Sequence, residues 1–144
     1  MKNLQQLKLD NQICFPVYAL SREIVGRYRP LLDQLDITYP QYLVLLVLWE
    51  HQEQSVSQLG EKLYLDSGTL TPLLKRLEQK NLVTRSRSKE DERIVKIKLT
   101  SEGQSLQKKA ASIPKQLFED MKVPEEELKQ LKTTIEKILT TLNQ

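Results

Sequence analysis

From residue 13 onward, apolar positions recur at steps of three and four. Ile13, Val17, Leu20, Ile24, Tyr28 and Leu31 fall on one face of a helix. Pro30 lacks an N–H and crowds the preceding turn, so the helix is expected to end or break there. A short helical piece and a turn, DITYP (36–40), follow. QYLVLLVLWEH (41–51) is apolar nearly all round, which predicts a buried central helix. Trp49 and His51 at its end read as packing and surface. SVSQ (55–58) fits a capping box, with Ser55 as N-cap of a helix of about two turns ending near Leu63. YLDS (64–67) makes a tight turn, and Asp66 or Ser67 caps a further helix running to about Lys80. Asn81 tolerates the left-handed conformation needed just past that end.

The period then changes from helix to strand. Val95, Ile97 and Leu99 alternate with Lys96 and Lys98, LVTRSRS (82–88) supplies an antiparallel partner, and KEDER (89–93) forms the hairpin tip. After Thr100 the helical period returns through Leu106, Ala110, Ile113, Leu117 and Met121. Pro124 fits the first turn of a last helix, with Glu125 to Glu127 at its positive end. Leu128, Leu131, Ile135, Ile138 and Leu142 form the stripe of that helix. The expected fold is mainly α with a small β wing, a winged helix-turn-helix at about 37–100. Dimerisation helices flank it at about 1–36 and 101–144, all in one domain. The flanking stripes exceed what so small a winged core covers, which predicts a symmetric homodimer.

The 144 residues suit one domain with a single core, and 39% hydrophobic against 28% charged is the balance of a soluble globular protein. The longest apolar run, YLVLLVLW (42–49), is too short to span a bilayer, and MKNLQQLKLD is no signal peptide. No membrane association is expected, and the chain reads as cytoplasmic. One cysteine excludes an internal disulfide and a cysteine-cluster metal site, and with His51 the only histidine neither zinc nor another cofactor is expected.

Charge sharpens the picture. Residues 67–98 carry nine Lys/Arg against four Asp/Glu, whereas the rest of the chain carries thirteen against fifteen. That is the footprint of a polyanion partner. On the helix from Ser67, Leu70, Leu73, Leu74 and Leu77 make the core stripe. Ser67, Thr69, Thr71 and Pro72 lie where small side chains allow close approach to DNA, and Lys75 and Arg76 reach base edges or phosphates one turn on. In the hairpin, Arg85, Arg87 and Arg93 join them. An arginine at a hairpin tip suits a narrow minor groove, and the carboxylate of Asp91 matches its fork. Double-stranded DNA is therefore the expected partner.

These stretches resemble a known family. LDNQICFPVYALSR, YRPLLDQLDITYPQYLVLLVLWE, LGEKLYLDSGTLTPLLKRLE and DERIVKIKLTSEG look like the MarR family of transcription regulators, in its one-cysteine organic hydroperoxide resistance branch. The likeness runs from about residue 9 to 103. It implies a dimeric repressor, not an enzyme, that holds a palindromic operator when reduced and releases it when oxidised. The sensing cysteine falls on Cys14, and its tyrosine partners on Tyr28 and Tyr39, contributed across the dimer, with Tyr18 a further neighbour. DNA contacts fall on Ser67, Thr69, Thr71, Lys75, Arg76, Asp91 and Arg93. The chain departs from the family in having Asp36 and Asn81 where glycine is frequent, and in Pro16 two residues after the cysteine.

A lone buried cysteine is ordinarily a small hydrophobe. Here Asp10 or Asn11 is placed to cap the first helix, whose positive end favours a thiolate at Cys14. Without a second cysteine, the sulfenic acid formed by an organic hydroperoxide caps with a small thiol as a mixed disulfide, or oxidises further. Three other readings predict different behaviour. A MarR-type repressor induced by a non-covalent aromatic ligand responds without Cys14, a peroxidase turns over, and a nucleoid protein binds DNA without sequence preference.

Overall fold

The computed structural model describes residues 4–144, which divide into two compact units meeting in sequence at Ala111 and Ser112. The first unit opens with two 3-10 turns, Gln5–Leu7 and Leu9–Asn11, followed by α1 (Cys14–Asp33). Asp10 and Asn11 do not cap α1. They lie in the second turn, and the N-cap is Ile13, with no side-chain acceptor. The nearby amides have other work: Asn11 donates to the Gln5 carbonyl at 2.6 Å and Gln12 to the Gln6 carbonyl at 2.7 Å. Among the described residues no side chain caps the first N–H groups of α1, and Cys14 is the first helical residue.

Pro30 does not end α1, which continues to Asp33. A proline inside a helix costs about 3 kcal/mol. The last turn also seats Leu32, 1% exposed, in the core, and burying such a side chain recovers about 1.5–3 kcal/mol. Tertiary packing offsets the local penalty.

α2 (Tyr39–His51) is the central helix, started by Thr38 in a capping box with Gln41. Its Val44, Leu45 and Leu48 are fully buried, together with Leu59 of α3 (Val56–Leu63) and Leu70, Leu74 and Leu77 of α4 (Ser67–Gln79). Ser55 and Gln58 form the expected capping box, and Asp66 caps α4 by accepting from the Thr69 N–H at 2.7 Å. Between α3 and α4 the chain turns through Tyr64 at φ 57. Gly60 makes the turn possible, since a Cβ there would lie 2.7 Å from the Leu65 carbonyl oxygen.

A strand unforeseen in the sequence, β1 (Glu53–Ser55), pairs with β3 (Val95–Leu99), which pairs on its other side with β2 (Val83–Arg87). The sheet order is β1-β3-β2, antiparallel throughout. The register sets Gln54, Ile97 and Arg85 in one row across it. Thr100 caps α5 (Ser101–Ala110), which closes the unit.

The stretch expected as one helix from 101 to 121 is two, α5 and α6 (Ile113–Met121). Pro114, in the first turn of α6, has no N–H to give the Ala110 carbonyl, so the helical hydrogen-bond ladder is interrupted there. In the second unit α6 ends at Lys122, at φ 56, and Pro124 is the N-cap of α7 (Glu125–Leu142). Glu125 to Glu127 occupy its first turn, as the dipole favours. Among its apolar stripe, Leu131, Ile135, Ile138 and Leu142 face solvent in the single protomer.

Gly103 is the tightest glycine. A Cβ on it would lie 2.1 Å from the Leu82 carbonyl oxygen. Gly103→Ala is expected to cost about 1–3 kcal/mol as overpacking. A denaturant melt showing an unchanged midpoint would contradict that.

Candidate functional site

Two sets of side chains stand out: an aromatic cluster on α1 and α2, and a basic surface on α4 and the wing. In the first, the Tyr28 and Tyr39 rings lie 4.7 Å apart, centre to centre. Tyr42, one turn beyond Tyr39, completes the group at 5.7 Å from Tyr28 and 6.2 Å from Tyr39. Burial raises all three phenols above their ordinary pKa. Tyr28, flanked also by Tyr39 and Tyr42, reaches about 12. At neutral pH each stays protonated, and a neutral phenol donates a hydrogen bond, which is what an anionic sulfur accepts.

The sign of the pH effect follows. Folding favours the neutral phenol, so the stabilisation holds below pH 10 and fades as pH rises through 12. The unfolding midpoint should fall across that window in the wild type and less in Tyr28→Phe. Equal slopes would contradict the burial of Tyr28.

Cys14 is exposed in the protomer, at the uncapped start of α1. Tyr18, one turn along, is also exposed, with the Arg22 guanidinium 5.6 Å from its ring centre. Tyr28 lies on the same helix fourteen residues from Cys14, which at 1.5 Å per residue is about 21 Å. No rotamer closes that gap. The structure thus brings Tyr28 and Tyr39 together and sets Cys14 apart from Tyr28 of its own chain. Along the helix start around Cys14 the surface is apolar: Ile13, Val17 and Tyr18 are all more than half exposed, Ile13 at 86%. Such a patch is characteristic of a protein interface.

On α4, Ser67, Thr69, Pro72, Lys75 and Arg76 are exposed. Thr71 is half-buried, its hydroxyl donating to the Ser67 carbonyl at 2.8 Å. The far end of α4 is tied down, because Lys80 pairs with both the backbone carbonyl and the carboxylate of Asp36.

The wing tip is a braced structure. Asp91 holds the Arg93 guanidinium through two bonds, Nε to Oδ1 and Nη2 to Oδ2, each 3.0 Å, and accepts the Arg93 backbone N–H at 3.0 Å. Those bonds keep the Asp91 carboxyl below the ordinary carboxylate range, first through the guanidinium and then through the backbone N–H. The Arg93 side chain is nonetheless 91% exposed, oriented but free to meet a ligand. Arg87 is exposed, with one of its five N–H groups donating to the Glu92 carbonyl at 2.8 Å. Arg85 sits apart, half-buried, with its Nε shut off from solvent and unpartnered.

The pattern of the sequence alone does not single out Tyr42 or the deep placement of Trp49. Trp49 is buried and its indole N–H donates to the Gly103 carbonyl at 2.9 Å. A signal was available: Tyr39, Tyr42 and Trp49 fall at helical spacing on α2. No helix among the described residues is long and apolar enough to cross a membrane.

Residues 27–110 match the family model described as transcriptional regulator SarA/Rot. Over 96% of its length the chain is 56% identical to the organic hydroperoxide resistance transcriptional regulator of Bacillus subtilis, covering 94% of that protein. Among solved structures, reduced AbfR of Staphylococcus epidermidis bound to DNA superposes with a TM-score of 0.80 at 40% identity, covering 97% of this chain and 98% of that one. Disulfide-formed AbfR superposes at 0.64, with 40% identity, 94% of this chain and 95% of that one.

Proposed function

The chain belongs to the MarR-type winged-helix transcription regulators, in their organic hydroperoxide resistance branch, and on that premise we propose how its residues work. It is a DNA-binding repressor that acts as a homodimer, senses organic hydroperoxides through its single cysteine, and then leaves its operator. Cys14 is the sensor. Tyr28 and Tyr39 of one copy donate hydrogen bonds to the thiolate of the other, with Tyr18 nearby. Ser67, Thr69, Thr71, Pro72, Lys75 and Arg76 approach the major groove, and Arg93, steered by Asp91, enters the minor groove. Arg85 and Arg87 add their charge to the DNA-facing wing, Arg87 also bracing its tip. The protein works where the DNA is, in the cytoplasm.

One observation carries this reading. An exposed Cys14 at the open start of a helix sits about 21 Å from neutral phenols suited to a thiolate, so a second copy is needed to unite them. The apolar surface around Cys14 is where that copy docks. The better superposition on the reduced, DNA-bound relative than on the disulfide-formed one supports an operator-competent conformation.

The Cys14 thiolate attacks one peroxide oxygen, the S–O bond forms as the O–O bond breaks, and the departing alkoxide takes a proton to leave as an alcohol. Sulfur is oxidised by two electrons and the peroxide is reduced. A small thiol then displaces water from the sulfenic acid, leaving a mixed disulfide. Loss of the anion removes the charge assistance of the tyrosine bonds, about 1–3 kcal/mol, and the bulk of the adduct forces the tyrosine-bearing segments apart.

The rival is a repressor induced by a small aromatic ligand. A cavity of about 230 Å³ beside Tyr39, lined by Val25, Leu32 and Ile37, gives it a place. That volume falls short of the roughly 300–1,000 Å³ typical of ligand sites. Fluorescence anisotropy on the DNA upstream of the protein's own gene separates the two. Cumene hydroperoxide with a small thiol should release the protein, and a dithiol reductant should restore binding. Release by aromatic acids alone, with hydroperoxide inert, would overturn the redox reading.

A further inference from the structure

We propose that Tyr42 and Trp49 are positioning residues of the switch, carrying the displacement of Tyr28 and Tyr39 to the joint between recognition helix and wing. The inference rests on the redox reading above. Tyr42 touches both switch tyrosines on one side and, on the other, meets Trp49 edge-to-face with ring centres 6.4 Å apart. Both rings are more than nine-tenths buried, Tyr42 being 3% exposed. The Trp49 indole N–H then donates to the Gly103 carbonyl, 2.9 Å away.

Gly103 is no ordinary anchor. Its Cα stands so close to Leu82 that no side chain fits between them. The same joint is closed by the Thr100 N–H donating to the Leu82 carbonyl at 3.1 Å and the Thr100 hydroxyl donating to the Asn81 carbonyl at 2.6 Å. Asn81 and Leu82 lie between α4 and β2, and Thr100 and Gly103 lead from β3 into α5. A chain of packed side chains thus runs from the sensor tyrosines to the point where the helix that enters the major groove meets the wing. Close-packed interiors do not absorb displacement gradually; they change between discrete packings. When Tyr28 and Tyr39 are forced aside, Tyr42 loses its seat, Trp49 shifts, and the Gly103–Leu82 joint re-aims α4 and the wing together.

Trp49 is the only tryptophan in the chain, so the protein carries its own reporter. In DNA-free wild type, treatment with cumene hydroperoxide and a small thiol should change Trp49 emission in step with Cys14 modification. Cys14→Ser should show no change. Trp49→Phe keeps an aromatic ring but lacks the N–H, and Tyr42→Leu keeps bulk but lacks the ring. Both should bind operator when reduced within about threefold of wild type. Their Kd should rise on treatment at least tenfold less than the wild-type Kd does. Unchanged Trp49 emission at full modification overturns the relay, and that measurement stands even if a variant fails to fold. Variants releasing with the wild-type ratio also overturn it, alone. A wild type that stays on the operator when modified defeats the redox reading and the relay with it.

Discussion

Cys14→Ser should hold its operator through a hydroperoxide treatment that strips off the wild type. The expected contrast is a rise in Kd of at least about 100-fold for the wild type, equivalent to about 2.7 kcal/mol, against less than about twofold for the variant. The size comes from geometry. In a dimer the two α4 helices must enter grooves one turn apart, roughly 34 Å, so re-aiming them breaks the fit in both half-sites. Good base contacts are worth about 1–3 kcal/mol each, and forfeiting one per half-site already gives the expected range. Serine replaces the sulfur with a hydroxyl that stays protonated at neutral pH and does not attack peroxide without a base to activate it. Cys14 is exposed and heads its helix, so the substitution should leave folding and reduced-state binding intact. Mixed dimers extend the test. One copy carries Cys14→Ser and the other carries Tyr28→Phe with Tyr39→Phe, so a complete site exists across the interface but within neither chain. A peroxide response in that mixed dimer places the tyrosines in trans; none places them in cis.

Arg93→Ala should be the most damaging change at the DNA surface. The guanidinium is held ready by Asp91 and exposed to the solvent, so removing it takes an interaction of about 1–3 kcal/mol from each half-site. For the dimer that is about 2–6 kcal/mol, roughly 30- to 20,000-fold in Kd. The salt dependence should also soften, by about 0.9 in log–log slope for each phosphate no longer neutralised. Asp91→Ala should cost less, about 1–3 kcal/mol over two copies, because Arg93 remains but must be immobilised on binding. Arg93→Lys should resemble the alanine variant more than wild type, since an ammonium cannot form the two parallel bonds to Asp91. Melting temperatures should not move, because the pair sits on an exposed tip. Equal operator affinity for wild type and Arg93→Ala would remove the wing from the interface.

Where a local rule and the tertiary structure agreed, the sequence was readable. The capping box of Ser55 and Gln58, the Asp66 cap, the left-handed Asn81 and the 83–87/95–99 hairpin are all local chemistry, and all are in place. The misses share a cause. Pro30 departs from its local rule and stays inside α1, at a cost that the burial of Leu32 offsets, which no local window registers. β1 has three residues, only one buried, and exists because β3 offers it an edge. Asp10 and Asn11 were suitable caps by type, but the 3-10 turns engage that segment first. Pro114 is a different failure, a visible helix-start signal overridden by an apolar stripe that stayed in phase across the break. At the site, Cys14, Tyr28 and Tyr39 came from resemblance. Tyr42 and Trp49 share a helical face with Tyr39, but on an all-apolar helix that spacing fits core packing as well as a relay.

Whether oxidation of Cys14 itself releases the operator is decided by following one sample with two readouts. Protein on labelled operator is treated with increasing cumene hydroperoxide at fixed small thiol. Intact mass spectrometry gives the fraction of Cys14 carrying the mixed disulfide, and anisotropy gives the fraction still bound. Bound DNA should fall as the adduct rises and return when a dithiol removes it. Fully modified protein holding operator as tightly as reduced protein would contradict it.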